Sequence, residues 1–174
     1  MDTCKIAPGL YQYTAVDDCS RFLVVALFSR RTAAHTIEFI DRVVEQMPFP
    51  VQRFQSDNRR EFTAYKVQDL LLDWGIKFRP IRPATPRLNG TVERAQKTVR
   101  AEFYLTVTLE DVDLQDKLEQ WQFNYNWQRV HGSLGKTPMV RCCELFDNTP
   151  FSEETDLLFD EARERQLQNT RQLK

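Results

Sequence analysis

The chain is poor in the residues that mark small stapled or repetitive proteins: its 174 residues include five glycines, four cysteines and two histidines. It has no low-complexity stretch and no internal repeat. With 41% hydrophobic and 11% aromatic side chains, a linker or generally disordered chain is excluded and one compact globular core is expected. Cys4, Cys19, Cys142 and Cys143 contain no CxxC spacing, and the adjacent pair makes a poor disulfide framework, so reduced thiols are expected. His35 and His131 are too few for a histidine-rich zinc site. No run approaches the roughly 20 apolar residues that span a bilayer, and the opening MDTCKIAPG lacks a secretory apolar segment. The expected location is therefore cytoplasmic, with no membrane partner.

Net charge is nearly absent too, at -1, but the total conceals a division. Residues 51–100 carry eleven basic and five acidic side chains, net +6, whereas residues 101–174 carry eight and fourteen, net -6. A near-neutral chain can therefore still present a nucleic-acid face.

Tyr11 to Phe28 alternates aromatic and β-branched residues around Asp17-Asp18-Cys19-Ser20, which predicts a hairpin. Asp17 and Asp18 are read as turn residues, their carboxylates bonding nearby backbone. Ile37, Ile40, Val43, Val44 and Met47 recur at helical spacing over Thr32 to Met47, before Pro48 and Pro50. Val51 to Phe54 reads as a strand and Phe62 to Trp74 as one helix stopped by Gly75. Ile76 to Ile81 follows as a strand, and RPATPRLNG as a loop. A helix beginning near Gly90 puts Val92, Val99 and Phe103 on one side and Glu93, Lys97 and Arg100 on another. Asp113 precedes a packing helix to about Trp127, with Leu114, Leu118, Trp121 and Tyr125 facing inward. Short helices are expected over Val140 to Phe146 and Ser152 to about Leu167, with a fraying QNTRQLK end. This order favours a three-layer α/β domain.

Phosphoryl transfer with two metal ions needs carboxylates from separate elements, because their clustered oxygens hold hard divalent cations. Asp2 in the polar opening, Asp57 just past a strand and Glu93 in a first helical turn are the candidates. Taken singly, each also reads as an ordinary surface or helix-start acid.

The surroundings of these acids are more specific. MDTCKIAPGLYQYTAVDDCSRFLVVALFSRRT, FQSDNRREF with Asp57, PATPRLNGTVERAQKTVRAEF with Glu93, and the later YNWQRVHGSLGKTP together resemble the retroviral-type integrase and insertion-sequence transposase catalytic core, the rve or DDE recombinase family. The resemblance covers about residues 2 to 140. It implies an α/β ribonuclease H-like three-layer fold, a mixed central sheet flanked by helices, with the core at 1–150 and a helical C-terminal extension at 151–174. It implies that Asp2, Asp57 and Glu93 are catalytic and bind two Mg²⁺ or Mn²⁺ ions. It also implies that Lys97, Arg100, Arg94 and Arg87 contact DNA, and that the core works as a homodimer or higher assembly on element ends and target DNA. Three positions depart from the family pattern. Arg59 replaces the glycine usual after Asp-Asn, only Met1 precedes Asp2, and Val130 stands before His131 where proline is common. If that glycine takes a positive φ, Arg59 strains the turn.

The implied activity is metal-dependent phosphodiester cleavage and strand transfer. Two alternatives stay open: a ribonuclease H-like nuclease that hydrolyses without joining, and an inactive truncated transposase remnant that binds DNA or dimerises.

Overall fold

A computed structural model describes residues 1–81, 89–146 and 159–172, with side chains to residue 169. In chain order the elements are β1 (Asp2–Ala7), β2 (Leu10–Val16), β3 (Leu23–Phe28), α1 (Ala33–Gln46), β4 (Arg53–Ser56), α2 (Arg60–Thr63), α3 (Tyr65–Asp73), β5 (Lys77–Pro80), α4 (Gly90–Glu102), α5 (Leu114–Trp127), α6 (Pro138–Leu145) and α7 (Glu161–Gln172). They fall into two compact units interleaved in sequence, residues 1–31 with 86–148 and residues 32–85 with 149–174.

In the first unit, β1, β2 and β3 form an antiparallel sheet in that order. Asp2 begins β1 and pairs with Thr14, so the short lead of one residue still leaves the acid inside the ladder. The β2–β3 turn is organised by Asp17, whose Oδ2 accepts from the Cys19 and Ser20 amides and the Ser20 hydroxyl at 3.1, 2.7 and 2.7 Å. Asp18 stays exposed, in a loose 3.5 Å ion pair with Arg21. Leu23, Val25, Ala95, Val99, Phe103, Leu114, Leu118 and Tyr125 form the core of this unit. Each large apolar side chain buried there contributes about 1.5–3 kcal/mol relative to exposure.

Helix α5 does more than pack. Its amide side chains bond β3 at alternate residues: Gln115 Oε1 accepts the Leu27 N–H at 2.9 Å and Gln122 Oε1 the Val25 N–H at 2.7 Å. Asn126 accepts the Leu23 N–H at 2.9 Å and returns a bond to the Leu23 carbonyl at 2.7 Å. Positions 115, 122 and 126 share one helix face, and positions 23, 25 and 27 one strand edge. The amides therefore satisfy backbone groups that would otherwise be open to another strand.

In the second unit, β4 and β5 pair in parallel, Arg53 with Lys77 through Ser56 with Pro80. Phe39, Ile40, Val43, Phe62, Val67 and Leu71 are essentially fully buried. Thr32 caps α1 by accepting from the His35 amide at 3.2 Å. The helix expected over Phe62 to Trp74 is broken in two, because Ala64 takes an extended ψ of 141°. Gln68 Nε2 bridges the break by donating to the Phe62 carbonyl at 2.9 Å. Strand β4 lies two residues beyond the expected start, set by its register with β5. Arg79 of β5 holds Glu164 of α7 with a bidentate pair at 2.6 and 2.8 Å. Within the described residues the C-terminal helix starts at Glu161 and continues to Gln172, beyond the expected end near Leu167. Glu161 and Glu164 in its first turn favour the helix dipole, and Glu161 accepts from Arg165 at 2.8 Å. The earlier part expected for it, 152–158, lies outside the described residues. In the first unit, α6 begins at Pro138 rather than Val140, because Thr137 caps it and proline is preorganised for the first helical position.

All four cysteines are free thiols. Among the described residues, no helix is long and apolar enough to cross a membrane.

Candidate active site

Asp2 and Glu93 belong to the first unit. Asp2 is 6% exposed, and its two oxygens are both engaged: Oδ1 accepts the Thr3 amide at 2.7 Å, and Oδ2 accepts Gln96 Nε2 at 3.2 Å. Gln96 lies on α4 one turn beyond Glu93, so Glu93 projects from the side of the helix nearest the bond to Asp2. Glu93 itself is exposed in the first turn of α4, where the dipole favours its negative charge. Lys97 and Arg100 follow at i+4 and i+7, both exposed, with Arg100 reaching the Lys5 carbonyl only at 3.5 Å.

Below this helix, Tyr104 donates its hydroxyl to buried Gln12 at 2.8 Å, and Gln12 donates to Thr14 at 2.7 Å. Burial holds the Tyr104 phenol well above its usual range, so it remains a proton donor. The chain Tyr104, Gln12, Thr14 supports β2 at the residue paired with Asp2.

Asp57 belongs to the second unit, one residue past β4. Its carboxylate receives Arg59 twice, from Nε onto Oδ2 at 2.8 Å and from the backbone amide onto Oδ1 at 3.3 Å. Arg59 has φ -66° and ψ 147°, ordinary extended backbone, so the strain expected from a glycine replacement does not arise. The substitution acts through charge instead, by setting a guanidinium on the aspartate.

The donor chemistry of Asp2, Asp57 and Glu93 fits a hard divalent cation, which prefers carboxylate oxygens. The Gln96 bond to Asp2 is the kind of contact that orients a metal ligand. Among the described residues, however, no three acidic, histidine or cysteine side chains are gathered closely enough to hold an ion. For Asp57 to serve as a ligand, Arg59 must move aside. Arg87 lies outside the described residues.

Sequence reasoning missed a second feature of α4. A groove of ≈ 530 Å³ runs past its N-terminus, lined in part by Arg21, Thr91, Arg94, Arg129, His131 and Ser133. Arg21 takes a left-handed φ of 64° and donates to the Thr91 hydroxyl at 3.2 Å. Arg129 is held by Glu102 through Nε at 2.9 Å and Nη2 at 2.7 Å. Partial burial, then the charges of Arg129, Arg21 and Arg94, hold the His131 imidazole below its ordinary value of 6.5. The only signal in the sequence was the pairing of SR at the hairpin with the later RVHGS.

Comparison with known proteins agrees with this architecture. Two models described as integrase core domain match, one over residues 1–86 and the other over residues 74–138. A retrovirus-related Pol polyprotein from transposon TNT 1-94 of Nicotiana tabacum is 29% identical over 101 residues, 57% of this chain but 8% of that polyprotein. The chain thus spans a small fraction of that relative. The BIV integrase catalytic core superposes with a TM-score of 0.66 at 22% identity, covering 80% of this chain and 89% of that one. The HTLV-2 integrase catalytic core, solved with magnesium in a trimeric form, gives 0.60 at 19% identity, covering 75% and 82%. A simian T-cell lymphotropic virus intasome, in complex with the PP2A regulatory subunit B56 gamma, gives 0.65 at 19%, covering 75% and 47%. These likenesses show the α/β fold of integrase catalytic cores, the ribonuclease H-like fold. The two family matches run continuously from residue 1 to residue 138 under a single description, and on that ground, with the fold in agreement, the chain belongs to the integrase core domain family.

Proposed function

We propose that this chain is the catalytic core of a DNA integrase or transposase, performing divalent-metal-dependent phosphodiester cleavage and strand transfer. The observation that carries the reading is the α4 face: Glu93 opens it, Gln96 one turn on bonds buried Asp2, and Lys97 and Arg100 continue it exposed to solvent. A helix that fixes one acid, presents another and lines them with cations suits a polyanionic substrate reacting at phosphorus.

Asp2, Asp57 and Glu93 are the metal-binding carboxylates in this reading. Two Mg²⁺ or Mn²⁺ ions bound there supply activation of an attacking oxygen and neutralise charge on the leaving oxygen. The protein's own part is positional. Gln96 keeps one Asp2 oxygen turned toward α4, Glu93 stands in the first turn of that helix, and Lys97, Arg100 and Arg94 hold backbone phosphates. Arg87, outside the described residues, is assigned to the same contact by the resemblance alone. Water then cleaves at an element end, and the freed 3′-hydroxyl displaces a phosphodiester oxygen in target DNA. The active species is a homodimer or larger assembly on DNA, and the work is done in the cytoplasm.

One observation favours a second reading, a DNA-binding core without turnover: the Arg59 guanidinium sits 2.8 Å from Asp57. Metal-dependent assays with matched element ends decide among the outcomes. Cleavage and joined products that fall at least a hundredfold in both Asp57→Ala and Glu93→Ala support the integrase or transposase reading. Cleavage without joining indicates a ribonuclease H-like nuclease. DNA binding with no cleavage in the unsubstituted chain indicates the inactive core, and rates unchanged by either substitution overturn the assigned roles.

A further inference from the structure

Helix α4 meets the β1–β2 ladder through two directional contacts. Toward its start, Gln96 Nε2 donates to Asp2 Oδ2 at 3.2 Å. Just past its last turn, the Tyr104 hydroxyl donates to Gln12 Oε1 at 2.8 Å. Tyr104 is carried by the helix end, because its amide and that of Phe103 both donate to the Val99 carbonyl, at 3.3 and 2.9 Å. At about 1.5 Å per residue, the two contacts lie roughly 12 Å apart along the axis. Between them α4 is buried through Val99, with Ala95 and Phe103 beside the contacts. Apolar contact is non-directional. These side chains hold the helix on the sheet without fixing how far it slides or turns.

Gln12 is a rigid anchor for the second contact. It is fully buried, and its amide is used at both ends: Oε1 accepts from Tyr104, and Nε2 donates to Thr14 Oγ1 at 2.7 Å. Turning the amide would break both bonds inside the fold, so one orientation is held. The strand register ties this anchor to the acid. Gln12 pairs with Cys4 and Thr14 with Asp2, and opposite residues of an antiparallel pair share a face. Asp2, Gln12 and Thr14 therefore stand together on the sheet face that meets α4. Glu93 rides on the same helix one turn before Gln96. A rotation by one residue would carry it about 100° round the axis. Two-metal sites hold their ions roughly 3.5–4 Å apart, and a misplacement of about 1 Å is already costly there. Apolar side chains in place of Tyr104 and Gln12 would keep the layers together but would accept more than one register.

We propose that Tyr104 is a positioning residue for the metal-binding acids: through Gln12 it fixes the register of α4 on the β1–β2 ladder, and with it the separation of Glu93 from Asp2. The proposal rests on the reading of Asp2 and Glu93 as metal ligands and extends it to a residue that touches neither. Gln96 sets the helix at one point and Tyr104 at a second, and two points are needed to stop a helix from pivoting.

The experiment is calorimetric titration of Mn²⁺ into the full chain, read beside the denaturant midpoint. Tyr104→Phe keeps the ring and removes the donor, and it is expected to weaken Mn²⁺ binding about tenfold, as loss of a ligand's outer support does. In the triple variant Tyr104→Phe, Gln12→Leu, Thr14→Val the whole polar line becomes apolar. That change is expected to restore the midpoint while Mn²⁺ affinity stays about tenfold weaker. Ser20→Ala is the control, since it removes a hydroxyl bond to Asp17 in the same unit, at the β2–β3 turn. It is expected to lower the midpoint and to change Mn²⁺ affinity by less than about twofold. Recovery of affinity together with the midpoint in the triple variant overturns the positioning role. So does an affinity of Tyr104→Phe within about twofold of the unsubstituted chain, or an equal loss in Ser20→Ala. Mn²⁺ binding that neither Asp2→Asn nor Glu93→Gln changes overturns the reading of these acids as ligands.

Discussion

Asp2 and Asp57 each stand at the end of a strand, yet their carboxylates are held by opposite means. Asp2 is buried and bonded by Gln96, 94 residues away on α4. Asp57 is partly exposed and bonded by Arg59, two residues on, through both side chain and backbone. The first arrangement depends on the helix packing against the sheet, and a neutral amide brings no opposite charge to the aspartate. The second is local and sets a guanidinium on the carboxylate. A carboxylate can therefore stand at a strand end and still be electrostatically altered by one neighbour.

The largest expected effect comes from breaking the long-range partner. Gln96→Leu removes a donor from a buried carboxylate and should destabilise the chain by about 2 kcal/mol, read as a lower denaturant midpoint. A loss below about 0.5 kcal/mol would show that Gln96 does not hold Asp2. Arg59→Gly addresses the local partner. Both members of that ion pair are about one-third exposed, which limits the pair to roughly 1 kcal/mol. Its removal should tighten Mn²⁺ binding about three- to fivefold in a calorimetric titration, with little change in melting temperature. An unchanged affinity would show that Arg59 does not compete for Asp57.

The smallest effect is a pH dependence at the groove. The folded pKa of His131 lies below its unfolded value near 6.5, so the folded state binds fewer protons. The stability it contributes is complete above about pH 6.5 and declines as the pH falls through that value toward the folded one. Thermal melts from pH 7.5 to 5.5 should show a modest decline that His131→Asn flattens. An identical slope in the variant would place the dependence elsewhere.

Much of the fold was legible because it follows from period and punctuation. The hairpin around Asp17 and Ser20, the α1 face through Ile40 and Val43, and the α4 face through Val92 and Val99 all need only alternation, helical spacing and local capping. The break at Ala64 was not legible, since no proline or glycine marks it. The amide edge on α5 was hidden for a different reason: no spacing or motif singles out Gln115, Gln122 and Asn126 until β3 supplies their partners. Arg59 was visible as a departure, but its consequence was misjudged as backbone strain, because φ at that position is not written in its side chain. The Arg21 groove was invisible, as residues from a hairpin, a helix and a later loop become neighbours only after folding.

By itself, the sequence determined which residues form strands and helices, the placement of three separated carboxylates, and the cation-rich run around Glu93. These depend on near-neighbour chemistry. Tertiary structure alone decided that Asp2 is bonded to Gln96, that α5 closes β3 with amides, and that three arginines line one groove. The first two join residues 88 to 103 positions apart and the third draws on a hairpin, a helix and a later loop, meetings set by packing of the core and not by any local preference.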